Sequence, residues 1–467
     1  MKNFFKNNLP ALILVGFFFT AYFIVLFVKH NFQFQTFGLD LGFYDQIIFK
    51  ASQWDFTKST IAEVLNRNHF LSFFENDFHL TLLLISLLYK IIPNVNWIFF
   101  IQALFSALIG LVVYFIAKAK TQNQLFSLVC PFILLFSVPY QHVIFDGFTP
   151  EVFGAFFLAL AFLGLVKNNL KLFWISIFGM LVSKVEFSPV VAILGLTVIV
   201  FEKKAKQGII TMIIGVLAFI LLVYVVYPLI SPGYQNYAHY SLGYGQIGQN
   251  PQEVIVNLIT KPLFILRVLI TPIIKLQYLF QQLFSFGFIP LLNPTIFPLL
   301  FFELFTRMGN NIMIAKWPLH SYTISVLLAI GTIYFSARFK NKLTIFAGIF
   351  LLFSLIGDMI FHGPLNSFLK SDFYTYNQWA KNNQELLDIV PGNVAVSANN
   401  SLVPHLSQRE KIYLLPNIAD AQYIALDLQD RPNAHTPSSY SANKELLTQN
   451  RFKIIFQKEN AVLLKRL

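Results

Sequence analysis

The chain has 467 residues, of which 56% are hydrophobic, 17% aromatic and only 12% charged, and its mean hydropathy is +0.61. This composition excludes an ordinary soluble domain and predicts a polytopic membrane protein. The formal net charge is +12, but the basic residues lie in short clusters between apolar runs, so they indicate membrane topology and not a nucleic-acid partner.

The first predicted element is a transmembrane helix. The stretch "MKNFFKNNLP" and the following "ALILVGFFFTAYFIVLFV" combine a basic start with an apolar run that is too long for a signal peptide and lacks a small-residue cleavage site after it. Lys2 and Lys6 place the amino terminus in the cytoplasm. Residues 30–78 then form an external loop, in which acidic residues outnumber basic ones.

The next apolar stretch, "HLTLLLISLLYKIIP", is short for a full span and ends in Pro93. We expect it to lie in the membrane interface, because Lys118 and Lys120 then fall on the cytoplasmic side. Further basic clusters fall on the same side, at Lys167 and Lys171, at Lys203, Lys204 and Lys206, and at Arg338, Lys340 and Lys342. About eleven spans result, ending near residue 362.

The composition becomes ordinary after Gly363, so residues 363–467 are predicted to form a soluble domain outside the membrane. Patterns typical of helices occur in "YNQWAKNNQELLDIV" and "SLVPHL", and patterns typical of strands in "NVAVSA", "KIYLLP", "YIALDL", "FKIIFQ" and "AVLLKRL". The predicted fold is an all-α polytopic bundle over residues 1–362 with a small C-terminal α/β extracytoplasmic domain.

The stretch "FGLDLGFYDQ" carries two carboxylates, Asp40 and Asp45, directly after the first helix. They are five residues apart, and a loop that enters a helix can bring them together. The alternative for each of them is a structural role, either solvation at the interface or helix capping, with Asp40 as the N-cap of the helix that follows.

Two further acidic groups lie on the predicted external side. In "ENDFHL", the polar residues Glu75, Asp77 and His79 alternate along the chain, a pattern that can bind a divalent cation or simply belong to a hydrated loop. In "DGFTPE", from Asp146 to Glu151, Pro150 starts a helix, so the helix dipole favours the carboxylate of Glu151 whatever its role.

Charged residues also interrupt the apolar sequence in "SKVEFSP", which contains Lys184 and Glu186. Ionisable groups in a membrane cost roughly 2–3 kcal/mol each on insertion scales, so they usually face a polar cavity or pair with each other. A surface ion pair is the simpler alternative. In "KWPLHSY", His320 and Tyr322 enter a helix from the same side, where an aromatic belt would also explain the tyrosine.

These stretches resemble a family of uncharacterised prokaryotic membrane proteins, domain of unknown function two-zero-seven-nine. The resemblance runs from about Phe37 through the tail and rests on "FGLDLGFYDQ", "DFHLTLLLISLLYKIIPNVNWIFFIQALFSALIGLVVYFIAKAK", "FDGFTPEVFG", "SKVEFSPV" and "VSANNSLVPHLSQREKIYLLP". That family is similar to the C-type-fold (GT-C) membrane glycosyltransferases, which take sugars from polyprenyl-phosphate donors.

The resemblance implies a role for particular acids. GT-C enzymes place an acidic residue in the first external loop, matched here by Asp40 or Asp45, and often a second in the next external loop, matched by Asp146 or Glu151. The chain departs from the family in two places. Thr149 stands where the family usually has His, and Val185 precedes Glu186 where the family has an acidic pair.

The resulting hypothesis is an inverting glycosyltransferase of the cell envelope, in which Asp40, or else Asp45, takes the proton of the acceptor hydroxyl. The residues expected to be catalytic are Asp40, Asp45 and Glu151, and those expected to bind substrate are Asp77, His79, Asp146, Lys184, Glu186, His320 and Tyr322. Lys184, with His320 as a weaker candidate, would neutralise the donor phosphate. Any divalent cation would bind Asp40, Asp77 and His79. The alternatives are a transporter or flippase of a lipid-linked or small polar substrate, and a non-catalytic membrane anchor for the tail.

Overall fold

The computed structural model describes residues 2–57, 59–61, 78–230, 246–309, 322–430, 446–447 and 451–467. Contacts within the chain define two compact units, which we call the bundle unit (Met1–Tyr22 and Gln102–Asn366) and the tail unit (Phe23–Ile101 and Ser367–Leu467). The tail unit thus combines the end of the first helix and the segment after it with the C-terminal residues. The division into domains 1–362 and 363–467 stays a prediction. Asp77 and His320 lie outside the described residues.

Helices dominate the part of the chain that the structure describes. In chain order the α-helices are Lys2–Asn31, Phe43–Ser52, Leu82–Ile91, Asn96–Thr121, Gln124–Phe136, Val138–Phe145, Glu151–Val166, Leu170–Ser183, Phe187–Val200, Ala205–Leu221, Tyr227–Ile230, Pro251–Thr260, Pro262–Ile270, Ile274–Phe284, Phe297–Met308, Tyr322–Ser336, Leu343–Phe361, Gln378–Ile389 and Val403–Leu406.

Four helical stretches in the described residues are long and apolar enough to cross a membrane: Lys6–Asn31, Asn96–Thr121, Ala205–Ile230 and Lys340–Phe361. The count rises to six if each of two bent pairs is one span; the pairs are Gln124–Phe136 with Val138–Phe145, bent by 50°, and Pro262–Ile270 with Ile274–Phe284, bent by 76°. Five apolar helices of 10–17 residues accompany them. A multi-pass membrane protein is confirmed, while length and apolarity define four to six spans and leave the count of about eleven a prediction.

Small residues allow two helices of the bundle unit to pack closely. A Cβ added to Gly195 would lie 2.5 Å from the backbone nitrogen of Met212, and one added to Gly215 would lie 2.4 Å from the backbone nitrogen of Ala192. The Phe187–Val200 and Ala205–Leu221 helices therefore touch through their backbones. Such contacts are typical of helices in lipid, where association depends on close packing and not on the hydrophobic effect.

The Leu82–Ile91 helix of the tail unit is only 10 residues long. At 1.5 Å per residue it extends about 15 Å, half the thickness of the hydrocarbon core. Ile85 and Tyr89 are buried, whereas Leu84 and Leu87 on the other face are more than half exposed. A short helix with an exposed apolar face supports the predicted interfacial location.

The C-terminal residues of the tail unit form a five-stranded sheet of order β2-β1-β3-β5-β4. The strands are β1 (Val396–Ala398), β2 (Ile412–Leu414), β3 (Tyr423–Asp427), β4 (Phe452–Lys458) and β5 (Ala461–Arg466). β1 pairs in parallel with both β2 and β3, and β5 is antiparallel to β3 and β4. Buried Ile424, Leu426, Val462 and Leu464 belong to its apolar core. The predicted small α/β domain is confirmed, and each predicted strand and helix is present.

Candidate functional site

Asp40 lies in a single π-helical turn, Gly38–Gly42, immediately before the Phe43–Ser52 helix. Its side chain is half-buried. The residue that caps the following helix is Gly42, and no side chain caps it. The alternative role of Asp40 as an N-cap is therefore not found. Isolated π turns occur frequently at functional sites, since they redirect one or two side chains without ending the helix.

The ends of this turn are in contact with the loop that follows β1. The backbone N–H of Gly38 donates to the backbone oxygen of Asn400 at 3.0 Å and to its Oδ1 at 2.8 Å. A Cβ added to Gly38 would lie 2.9 Å from the Val403 side chain, and one added to Gly42 would lie 3.0 Å from Val403 Cγ1. A side chain at either glycine would require Val403 to shift, because the backbone of the turn lies directly against the Val403–Leu406 helix.

Asp45 is fully buried and accepts three side-chain hydrogen bonds. Its Oδ1 accepts from Tyr89 Oη at 2.5 Å and from Gln408 Nε2 at 3.2 Å. Its Oδ2 accepts from Ser407 Oγ at 2.5 Å. Burial raises the pKa of Asp45 to about 6, although the hydrogen bonds from Ser407, Tyr89 and Gln408 oppose that shift. Asp45 has no surface exposed to a substrate, in contrast to Asp40.

Gln46 extends the same contact toward β2. Its Nε2 donates to the backbone oxygens of Arg409 at 3.3 Å and Glu410 at 3.2 Å. Its Oε1 accepts from Ser59 Oγ at 2.6 Å. The Thr60 hydroxyl in turn donates to the backbone oxygen of Ile412 at 2.6 Å. "FGLDLGFYDQ" and "NNSLVPHLSQREKI", far apart in sequence, therefore form one continuous contact inside the tail unit.

His79, the described member of the predicted cation site besides Asp40, is buried with its ring 6.1 Å from the ring of Tyr44 in an edge-to-face arrangement. Among the residues that the structure describes, no three His, Cys, Asp or Glu side chains form a group suited to a metal ion. Since Asp77 lies outside those residues, the predicted set of Asp40, Asp77 and His79 stays a prediction.

Glu151 is the centre of a buried ionic cluster in the bundle unit. Its Oε1 accepts from Arg307 Nη2 at 3.1 Å, from Thr323 Oγ1 at 2.8 Å and from the Thr323 backbone N–H at 3.3 Å. Arg307 Nη2 also lies 3.6 Å from Glu303 Oε2. Glu151, Glu303 and Arg307 are each less than 10% exposed. One guanidinium therefore serves two buried carboxylates.

The Lys184–Glu186 pair has one buried and one exposed member. Lys184 Nζ lies 2.7 Å from Glu186 Oε2, and the side chains are 8% and 44% exposed, respectively. The lysine is the C-cap of the Leu170–Ser183 helix, and the glutamate is the N-cap of the next helix. The pair is therefore partly desolvated on its cationic side, unlike a simple surface ion pair.

The remaining predicted residues of the bundle unit have ordinary local partners. Asp146 Oδ2 lies 3.0 Å from Nδ1 of His142, four residues earlier, and both side chains are about one-third exposed. The buried hydroxyl of Tyr322 lies 2.8 Å from Ser106 Oγ, and its ring packs edge-on against Tyr140. Tyr322 is thus held inside the bundle and not in an interfacial belt.

Two groups were missed in the sequence, Arg307 and Glu303. The signal for them exists, because "FELFTRM" places opposite charges at i and i+4 within an apolar helix, where ionisable residues are costly and usually paired. The contact of Ser407 and Gln408 with Asp45 has no comparable local signal.

The fold is that of the C-type membrane glycosyltransferases. The chain matches the crystal structure of ArnT from Cupriavidus metallidurans bound to undecaprenyl phosphate with a TM-score of 0.56 and 11% sequence identity, and the match covers 98% of this chain and 98% of that chain. A sequence search among curated proteins gives no significant match. The chain belongs to the family described as Predicted membrane protein (DUF2079), whose model matches residues 30–464. The family and the GT-C fold that the resemblance implied are both confirmed.

Proposed function

We propose that this protein transfers a hexosyl or pentosyl group from a polyprenyl-phosphate donor to an acceptor hydroxyl at the external face of the membrane. The observation that carries the proposal is the likeness in fold to ArnT over almost the entire length of both chains. The ArnT structure contains undecaprenyl phosphate, a lipid of the class that would carry the sugar here. A lipid donor also accounts for carboxylates placed directly after a membrane helix.

In this proposal Asp40 is the general base. The acceptor oxygen attacks the anomeric carbon while Asp40 takes its proton, and the bond from that carbon to the phosphate oxygen breaks. Polyprenyl phosphate leaves with the electron pair, so the configuration at the anomeric carbon inverts. Asp40 is preferred over Asp45 because Asp40 is half-buried in a turn, whereas Asp45 is fully buried.

For the leaving phosphate we propose Lys184 as the neutralising cation. Its partner Glu186 is 44% exposed, so water readily solvates the glutamate when a phosphate takes its place. Arg307 is less suited, because its guanidinium is already shared between the buried carboxylates of Glu151 and Glu303. No step of the reaction is assigned to a metal ion.

The placement of the charges in the bundle unit supports an enzyme over a transporter or flippase. Glu151 is the first residue of its helix, and Arg307 is the next to last residue of another. Lys184 and Glu186 flank a break between two helices. A transport path would instead place ionisable groups midway along several spans.

The test is transfer from a radiolabelled polyprenyl-phosphate sugar by purified wild-type protein and by Asp40→Asn. Loss of the base predicts a transfer rate 10²- to 10⁴-fold lower, with unchanged thermal unfolding of the protein. Asp372→Asn is the matched control, because Asp372 is an exposed carboxylate of the tail unit. Unchanged transfer by Asp40→Asn would exclude Asp40 as the base.

A further inference from the structure

We infer that the C-terminal sheet holds the Asp40 turn in place, with Asn400, Val403 and Ser407 as positioning residues. The sheet does so at the edge where open α/β sheets usually bind a ligand, so this edge is occupied by the chain's own residues 38–46. The effect of this contact on catalysis rests on the proposed function of Asp40 as the base. The contact itself does not depend on that proposal.

The topology of the sheet identifies the edge. β1 lies between β2 and β3 with all three strands parallel, so the strand order 2-1-3 reverses direction beside β1. Ligands of open α/β sheets bind outside the carboxyl ends of the strands at such a reversal. Asn399 and Asn400 directly follow β1, and Asp427 ends β3. In this chain the position is taken by the Asn400 contact with Gly38.

Asn400, which contacts the turn, is itself held in place by hydrogen bonds within the C-terminal residues. The N–H of Asp427 donates to Asn399 Oδ1 at 2.7 Å, which ties the loop after β1 to the end of β3. The N–H of Asn400 donates to Asp430 Oδ2 at 3.0 Å. The backbone oxygen and Oδ1 of Asn400 then both accept from the same Gly38 N–H. The acceptor is therefore preorganised by the sheet.

Contacts on both sides of Asp40 restrict the conformation of the turn. Gly38 is held two residues before it, Gly42 packs against Val403 two residues after it, and Asp45 accepts from Ser407 three residues further on. Since the turn has only five residues, fixing its two ends fixes the backbone of Asp40. Catalytic groups lose roughly 10²-fold in rate when misplaced by about 1 Å, which gives such a restraint a functional consequence.

The first test measures the contact without measuring activity. Amide hydrogen exchange of a peptide covering residues 37–46 is compared in the wild-type protein, Asn400→Ala and the control Asn393→Ala, an exposed asparagine of the same unit. Asn400→Ala removes the Oδ1 acceptor and leaves Gly38 only the longer bond to the backbone oxygen, which predicts up to about tenfold faster exchange; exchange in Asn393→Ala should be unchanged. Equal exchange in all three proteins overturns the inference.

The second test uses a steric pair and does not depend on the fold of Asn400→Ala. Gly42→Ala brings a methyl group within 3.0 Å of Val403 Cγ1, and the next nearest atom is 3.5 Å away in Pro404. Val403→Ala removes Cγ1. We expect Gly42→Ala to lower kcat at least tenfold with little change in the KM for the donor, and the double variant to recover kcat to within about threefold of Val403→Ala. A double variant as slow as Gly42→Ala overturns the positioning role.

The two tests separate failure of this inference from failure of the proposed function. If the wild-type protein transfers no sugar, the proposed function fails, and hydrogen exchange alone decides on the contact. If Asp40→Asn transfers normally while Asn400→Ala exchanges faster, the contact is supported and the assignment of Asp40 as the base is overturned.

Discussion

Asp45 in the tail unit and Glu151 in the bundle unit are both fully buried carboxylates, but their partners differ in charge. Asp45 accepts from a tyrosine, a serine and a glutamine, all uncharged. Glu151 accepts from the Arg307 guanidinium and from Thr323. Within the part of the chain that the structure describes, a cation therefore balances the negative charge of Glu151 but not that of Asp45. Both acids lie at the boundary of an apolar run in the sequence. In the structure, Asp45 accepts hydrogen bonds from uncharged side chains, whereas Glu151 belongs to an ionic cluster.

The largest effect is expected for Arg307→Ala, which breaks the ionic cluster. The change leaves the carboxylates of Glu151 and Glu303 buried without their shared guanidinium, and we expect a loss of about 3–5 kcal/mol in the free energy of unfolding. Thermal unfolding in detergent measures this loss. Lys340→Ala, at an exposed lysine, is the control. A loss below about 1 kcal/mol would contradict a stabilising role for the ion pairs that Arg307 makes with Glu151 and Glu303.

A second prediction concerns the pH dependence that Asp45 contributes. Its pKa is raised from 3.8 to about 6 in the folded protein, so the folded state binds this proton more tightly than the unfolded state. The stabilisation that comes from protonated Asp45 is fully present below about pH 4 and is lost as the pH rises to about 6. The free energy of unfolding then falls by roughly 3 kcal/mol in total.

Asp45→Asn tests that contribution. The amide is neutral at every pH, and the hydroxyl of Ser407 can reverse its role to accept from the new NH₂ group. The stability of the wild-type protein relative to Asp45→Asn should therefore fall between pH 4 and pH 6 in chemical unfolding experiments. A relative stability that rises over this interval would contradict burial as the cause of the raised pKa.

The third effect is expected for Ser407→Ala. Removal of the hydroxyl takes away a donor to Oδ2 of the buried Asp45 carboxylate, at a cost of about 1–3 kcal/mol. The cost should be greater above pH 6, where Asp45 is ionised. Ser371→Ala, at an exposed serine of the same unit, serves for comparison in the same unfolding assay. Equal stability of the two variants would show that the hydrogen bond from Ser407 to Asp45 does not stabilise the fold.

The smallest effect on stability is expected for Lys184→Ala. The partner carboxylate of Glu186 is 44% exposed, so water can solvate it when the lysine is removed, and we expect a cost of less than about 1 kcal/mol. Binding of undecaprenyl phosphate should nevertheless weaken, which native mass spectrometry can measure. Full retention of binding would exclude Lys184 from the phosphate site, and a large loss of stability would mean that the pair is structural.

The sequence by itself determined the membrane class, the first helix and the strands of the tail, because hydropathy and periodicity are local properties of a short window. It also contained the Glu303 and Arg307 pair, four residues apart on one helix. It placed both Asp40 and Asp45 after the first helix but left open which of them remains accessible.

Only the tertiary structure decided that question. Ser407 and Asp45 are 362 residues apart in sequence, and no local pattern specifies which donors meet a carboxylate across that distance. Burial against the Val403–Leu406 helix and the loop after it converts Asp45 into a structural acceptor, while Asp40 remains half-buried in its turn. The physical reason is that the accessibility of a side chain depends on what packs against it. Here that depends on the contact between the C-terminal residues and the Gly38–Gly42 turn, which are far apart in sequence.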